Sequence, residues 1–195
     1  MRWKILAGLS VLVVVGAGAW LWLAPTDSGL RPLPRPAFFP GKVPDTPPTM
    51  APRTEQADAI FVDKSERRLE LRQGGEVIAS YRVALGDAPE GHKQQEGDER
   101  TPVGTYAIDW RNDQSIAYLS LHISYPDAGD RAQAAARGVS PGGNIMIHGI
   151  ANGWGWLGSR HLLNDWTDGC IAVTNEEMRE IWARVPNGTP ITIVE

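Results

Sequence analysis

The chain has 195 residues, 42% hydrophobic and 22% charged, with a formal net charge of −4. That is enough for one globular domain with an ordinary core and too little for two. Without Arg2 and Lys4 the remainder carries a formal charge of about −6, and it contains no basic stripe, aromatic RNA motif or paired zinc-type cysteines, so nucleic-acid binding and a structural metal are set aside.

Residues 1–24 place Arg2 and Lys4 ahead of an uncharged stretch from Ile5 to Ala24, the layout of a membrane anchor or signal peptide. About 20 apolar residues at about 1.5 Å each would cross a bilayer core, and Trp20 and Trp22 suit an interface. The segment reads as an uncleaved anchor; Ala17-Gly18-Ala19 offers the alternative of a cleavage site. Either way the rest of the chain is expected outside the cytoplasm, in the periplasm. No cysteine directly follows the apolar run, which argues against lipoprotein processing.

Residues 25–57 form the next expected unit. Nine of the fifteen prolines lie between Pro25 and Pro52, with few large aliphatic residues, as in an extended, semi-stiff tether. From residue 58 to 195 the pattern becomes that of a mainly β domain. In "DAIFVDKSERRLELRQGGEVIASYRVALG", Leu69 and Leu71 alternate with Arg68, Glu70 and Arg72. Gly74-Gly75 supplies a turn, and Val77, Ala79, Tyr81, Val83 and Leu85 share one face of the returning strand. Further strands are expected at "GTYAIDW", "LSLHIS", "NIMIHG", "CIAV" and "PITIVE". Two short helices are expected, one in "PDAGDRAQAAARG" and one starting at Thr174. There Thr174 and Glu177 have capping-box spacing, and Met178, Ile181, Trp182 and Val185 share a side.

Cys170 is the only cysteine. In an oxidising compartment an unpaired thiol is buried and inert, joined to another chain, or kept for its reactivity. A reactive one needs a base, because a free thiol of pKa about 8.5 is only slightly ionised at neutral pH. Of the four histidines, His92 lies in the polar "EGHKQQEGD" loop and reads as solvated. His122 alternates with Leu119, Leu121 and Ile123 on a sheet, and His161 follows Arg160 in a long loop where it could meet ligand. His148 ends an apolar run and precedes Gly149, a strand-end position suited to a base.

Taken together, "GDERTPVGTYAI" (97–108), "IMIHG" (145–149) and "TDGCIAVTNEE" (167–177) resemble the L,D-transpeptidases of the YkuD type, cysteine enzymes of the bacterial cell wall, in the family's order. The branch most similar in "DWTDGCIAVTN" is that of YafK-like proteins. The resemblance implies the L,D-transpeptidase fold, with mixed sheets of β-sandwich or barrel-like form, and no metal or organic cofactor. It makes Cys170 the nucleophile and His148 its base, with the Gly149 carbonyl orienting the imidazole. The N–H groups of Gly169 and Cys170, with Asp168 as a further donor, would form the oxyanion hole. Fixed amide dipoles of that kind supply roughly 3 kcal/mol per donor to a tetrahedral intermediate.

Two positions depart from the pattern. Asp168 stands where the family usually has histidine, and Ala172 where arginine or asparagine is common. Substrate contacts are expected from Thr167, Asp168, Trp154, Arg160 and His161, with Trp154, Trp156 and Trp166 able to form a lid and Arg160 able to pair with stem-peptide carboxylates. The implied partners are peptidoglycan stem peptides, with a wall-linked lipoprotein as a further one. The implied reaction is attack on the L-centre carbonyl of diaminopimelate in a tetrapeptide, release of D-alanine, and resolution of the thioester by an amine. A hydrolase with the same dyad, either an L,D-carboxypeptidase or an amidase releasing wall-bound lipoprotein, is the enzymatic alternative. From a different class comes a non-catalytic wall-binding module. A sortase-like reading lacks a segment that marks its arginine.

Overall fold

The computed structural model describes residues 46–195. The expected anchor and residues 25–45 of the expected tether lie outside the described residues. Ten α and β elements follow in order: β1 (Ala59–Asp63), β2 (Arg68–Gln73), β3 (Glu76–Arg82), β4 (Gly104–Ser115), β5 (Tyr118–Ile123), α1 (Ala128–Ala136), β6 (Met146–His148), β7 (Ile171–Ala172), α2 (Asn175–Arg184) and β8 (Pro190–Val194).

The strands make one mixed sheet in the order β3-β2-β1-β8-β4-β5-β6-β7. Only β1 with β8 and β6 with β7 run parallel. The two ends of the sheet then meet: Ala84, just beyond β3, exchanges backbone hydrogen bonds of 2.9 and 2.8 Å with Ala172 of β7. A bridge between Gly86 and Thr167 continues the seam. This closure removes an exposed strand edge, as barrels do, and clamps the short β7 from both sides.

Fully buried branched side chains fill the interior, among them Leu69, Leu71, Ile108, Leu121, Ile147 and Ile171. Each contributes about 1.5–3 kcal/mol relative to exposure. Helix α2 lays Met178, Ile181 and Trp182 on this core, and Thr174 and Glu177 close the capping box at its start, with Glu177 N–H to Thr174 Oγ1 at 3.3 Å and Thr174 N–H to Glu177 Oε2 at 2.9 Å. Helix α1 begins with the analogous exchange between Asp127 and Asp130.

Three local expectations need correction. Val77 is 50% exposed instead of sharing the buried face with Ala79 and Tyr81. Leu71 pairs with Ala79 while Arg72 pairs with Val77, so Ile78 is an extra residue and the bulge turns Val77 to the Arg72 side. His92 is not a solvated loop side chain: Nδ1 accepts the Val103 N–H at 3.0 Å and Nε2 lies 3.1 Å from Asp130, which ties the loop to α1. Residues 46–57, placed with the tether in the sequence reading, pack on α2. The N–H groups of Ala51 and Ala57 donate to the carbonyls of Ala183 and Arg184, each at 2.8 Å, which satisfies acceptors that the helix end leaves open.

Candidate active site

The alternation in β6 sends Ile145 and Ile147 into the core and Met146 and His148 to the other face. Ile147 pairs with Ile171 and His148 with Ala172. One step back along the same register, Cys170 lies on the same face as Ala172, beside Met146 and diagonal to His148. The parallel pairing of β6 with β7 therefore brings the thiol and the imidazole onto one side of the sheet.

His148 is buried, and its Nδ1 is 2.6 Å from the Gly149 carbonyl oxygen. A carbonyl can only accept, so Nδ1 carries the proton and Nε2 is left as the basic nitrogen. Burial holds the His148 pKa below the ordinary histidine value, with the Gly149 bond opposing that shift. The turn is tightly built: a β-carbon at Gly149 would lie 2.6 Å from Asn175 Oδ1. That same oxygen accepts the Ile150 N–H at 2.8 Å. Asn175, which sequence reasoning missed, thus pins the chain leaving His148 from the start of α2; its only signal was its place directly after the Thr174 cap.

Cys170 is half-buried, and its thiol donates to the Asn144 carbonyl at 3.6 Å, not to the imidazole. Burial pushes the thiol pKa up, with Asp168 acting in the same direction, while the Met146 N–H and Lys93 oppose it. Both shifts favour the uncharged forms, a neutral imidazole and a protonated thiol.

Thr167 shapes the turn before the thiol. Its hydroxyl donates to the Cys170 carbonyl at 2.8 Å and accepts the Gly169 N–H at 3.2 Å. Gly169 was expected to supply an oxyanion donor, but its N–H is occupied by Thr167. Among the described residues the N–H groups of Cys170 and Asp168 make no hydrogen bond, which leaves those two open for an incoming oxygen. Gly169 serves close approach instead: its φ is 119°, and a β-carbon there would lie 2.5 Å from the Arg100 carbonyl oxygen. Thr167, expected to touch substrate, is buried and uses its hydroxyl inside the turn.

Upstream, Asp165 anchors the segment. One carboxylate oxygen accepts the Leu85 N–H at 2.8 Å and the other accepts from Arg67 at 2.8 and 3.0 Å. Asp165→Ala would strand both donors at a partly buried position. A loss of about 2–3 kcal/mol of stability is expected, read as a lower urea midpoint; an unchanged midpoint would contradict this account of the turn.

The other expected contacts scatter. Asp168 is exposed and, with Lys93, Glu96, Glu99 and Asn144, lines an open groove of about 680 Å³. Trp154 is exposed and stacks on Trp156 with ring centroids 6.1 Å apart. Arg160 is exposed and forms no ion pair among the described residues. Both belong to the loop joining β6 to β7, whose 3-10 segment, Gly155–Leu163, is broken at Gly158. His161, in contrast, is only 6% exposed, and its pKa is lowered to about 4 by burial and by the neighbouring His148.

These two histidines make stability depend on pH. Each is held neutral in the folded state, whereas in the unfolded chain it titrates near 6.5. The unfolded state therefore binds more protons as pH falls below 6.5, and stability present above that value is lost on the way to about 4. Urea midpoints are expected to fall between pH 7.5 and pH 5, a window above the titration of carboxylates; equal midpoints would contradict burial of the neutral rings.

The family model described as YkuD, L,D-transpeptidase catalytic domain, matches residues 57–193. A protein of Escherichia coli K12 that bears the name "Putative L,D-transpeptidase YafK" is 30% identical over 130 residues, covering 63% of this chain and 45% of its own. The chain thus spans under half the length of the curated relatives it matches. Pgp2 of Campylobacter jejuni, a helical cell shape determining protein, superposes with a TM-score of 0.54 at 23% identity, over 70% of this chain and 47% of Pgp2. Bd1075 of Bdellovibrio bacteriovorus gives 0.50 at 22% identity, over 78% of this chain and 53% of that one. These likenesses establish the fold.

Proposed function

Because this chain belongs to the YkuD L,D-transpeptidase catalytic domain family, we propose that it is an exported, membrane-anchored acyltransferase of the periplasm that uses Cys170 on peptidoglycan stem peptides. The observation that supports this reading most is the nearness of a buried imidazole at the end of β6, its Nδ1 proton committed to Gly149, to a disulfide-free thiol directly before the neighbouring β7.

In the proposed reaction the thiol turns from Asn144 toward His148 and gives its proton to Nε2. The sulfur adds to the carbonyl at the L-centre of diaminopimelate, and the resulting oxyanion lies against the N–H groups of Cys170 and Asp168. Fixed donors in a partly desolvated site stabilise that charge without reorganising. Collapse breaks the C–N bond; the leaving amine of D-alanine takes the proton from the imidazolium, and a thioester remains on Cys170. An acceptor amine then adds to the thioester, gives a proton to His148 and expels the sulfur, which recovers its proton.

Burial raises the thiol pKa, and Asp168, in place of the family's histidine, adds to that shift through its negative charge. Activation therefore falls to proton transfer inside the pair and not to a standing thiolate. Incubating the chain with labelled disaccharide tetrapeptides tests the reading. Crosslinked dimer with released D-alanine is expected. Shortened or detached stems without dimer would replace transfer by hydrolysis, and untouched substrate would overturn the enzymatic reading.

A further inference from the structure

Two features near His148 are not used by this mechanism: the exposed indole of Trp166 and the buried ring of His161. The rings of His148 and Trp166 meet nearly edge to face, with centroids 5.8 Å apart and planes at 70°. Trp166 meets His161 on its own account at 6.2 Å and 86°. The indole is held at two points. Its backbone N–H donates to the Leu85 carbonyl at 3.1 Å, and its Nε1–H donates to His161 Nδ1 at 3.4 Å.

That second bond decides the His161 tautomer. Nδ1 accepts, so in the neutral ring the proton sits on Nε2, and Nε2 is buried without a hydrogen-bond partner. A hydrocarbon of similar size would fill the same space without desolvating an N–H. What the imidazole adds at this position is one acceptor, and the acceptor is spent on Trp166.

We propose that Trp166 is a positioning residue for His148, a wall that keeps the imidazole from swinging off the strand face, and that His161 fixes this wall through Nδ1. The Gly149 carbonyl secures one end of the base; Trp166 packs against the ring and limits its rotation toward solvent. With 38% of Trp166 exposed, packing alone holds the indole weakly, and the bond to His161 sets its plane. Misplacing a reacting group by about 1 Å can cost on the order of a hundredfold in rate, so a loosened wall acts on the chemical step and not on binding.

This inference rests on the proposed role of His148 as base. Its test uses the full chain in detergent, a carbapenem-type β-lactam as acylating probe, and mass spectrometry of Cys170 against time at several probe concentrations. Asparagine places an oxygen where histidine has Nδ1, and glutamine places its amide where histidine has Nε2. His161→Leu and His161→Gln are expected to lower the maximal acylation rate at least about tenfold with little change in half-saturating concentration, and His161→Asn to stay within about threefold of wild type.

Trp166→Phe retains a ring and loses the indole N–H. Adding His161→Leu to Trp166→Phe should then slow acylation no further, a coupling that a purely structural histidine would not show. Rescue by glutamine instead of asparagine would overturn the proposal in favour of a donor to substrate at Nε2. Equal rates in all variants, equal losses in all His161 variants, or additive losses in the double variant would also overturn it. Failure of wild type itself to be acylated would fall on the proposed function and not on this coupling.

Discussion

Cys170→Ala is expected to leave no measurable acyl transfer or hydrolysis of stem peptides, a fall on the order of 10⁴-fold or more in turnover. The side chain is half-buried at the seam between β6 and the segment after β3, and alanine fits there without new contacts, so folding should survive the change. Substrate affinity should also survive, because the groove beside the site is lined by other residues. Loss of chemistry with retained binding, measured by turnover and by equilibrium binding of a tetrapeptide, separates a nucleophile from a packing residue. His148→Ala should cost a comparable factor, and the double variant little more, since a nucleophile and its base act as a unit. Retained turnover in Cys170→Ala would remove the thiol from the reaction.

Gly169→Ala carries the second large effect. The position has φ 119°, and an alanine β-carbon would lie 2.5 Å from the carbonyl oxygen of Arg100. That neighbour is backbone and cannot swing aside, so the 167–170 turn must move, and with it the free N–H groups of Asp168 and Cys170. Losing the aim of one oxyanion donor costs about 10²–10³ in rate, so acylation should slow by at least that much, and backbone strain should lower stability by about 1–3 kcal/mol. Gly74→Ala is the matched control. Its φ is 59° and nothing lies within 4 Å of the added carbon, so it should cost about 1–2 kcal/mol of stability and no acylation rate. If both variants acylate Cys170 at the wild-type rate, the turn is not the source of the oxyanion donors.

The contrast between these two glycines shows what a sequence can and cannot express. The β2–β3 hairpin around Gly74 is local: turn residues and alternating side chains specify it within a dozen positions, and the strands of the sheet were legible for the same reason. The bulge at Ile78 was not, because it depends on how β3 meets β2 and leaves no mark in composition. His148 and Cys170 stood out through their strand-end and turn settings and the motifs around them. Their supports did not. Asp165 reaches Leu85 and Arg67, 80 and 98 positions away, and Asn175 reaches Ile150 across 25. His92 read as a polar loop residue for the same reason, since Asp130 becomes its neighbour only when α1 packs.

Gly169 illustrates a finer limit. Sequence reasoning placed a glycine before the thiol and assigned its N–H to the oxyanion site. In the folded turn that N–H is taken by the Thr167 hydroxyl at 3.2 Å, and Gly169 matters for the β-carbon it lacks. Backbone direction within a four-residue turn is set by side-chain hydrogen bonds that spacing alone cannot assign.

In the proposed reaction Cys170 becomes covalently acylated by a stem peptide with help from His148. Intact-protein mass spectrometry after rapid acid quench of the full chain with disaccharide tetrapeptide addresses it directly. The expected product is an adduct equal to the substrate less D-alanine, mapped to Cys170, reversed by hydroxylamine as thioesters are, absent from Cys170→Ala and strongly reduced in His148→Ala. Conversion of substrate by wild type with no adduct at any quench time, together with undiminished conversion by Cys170→Ala, would contradict it.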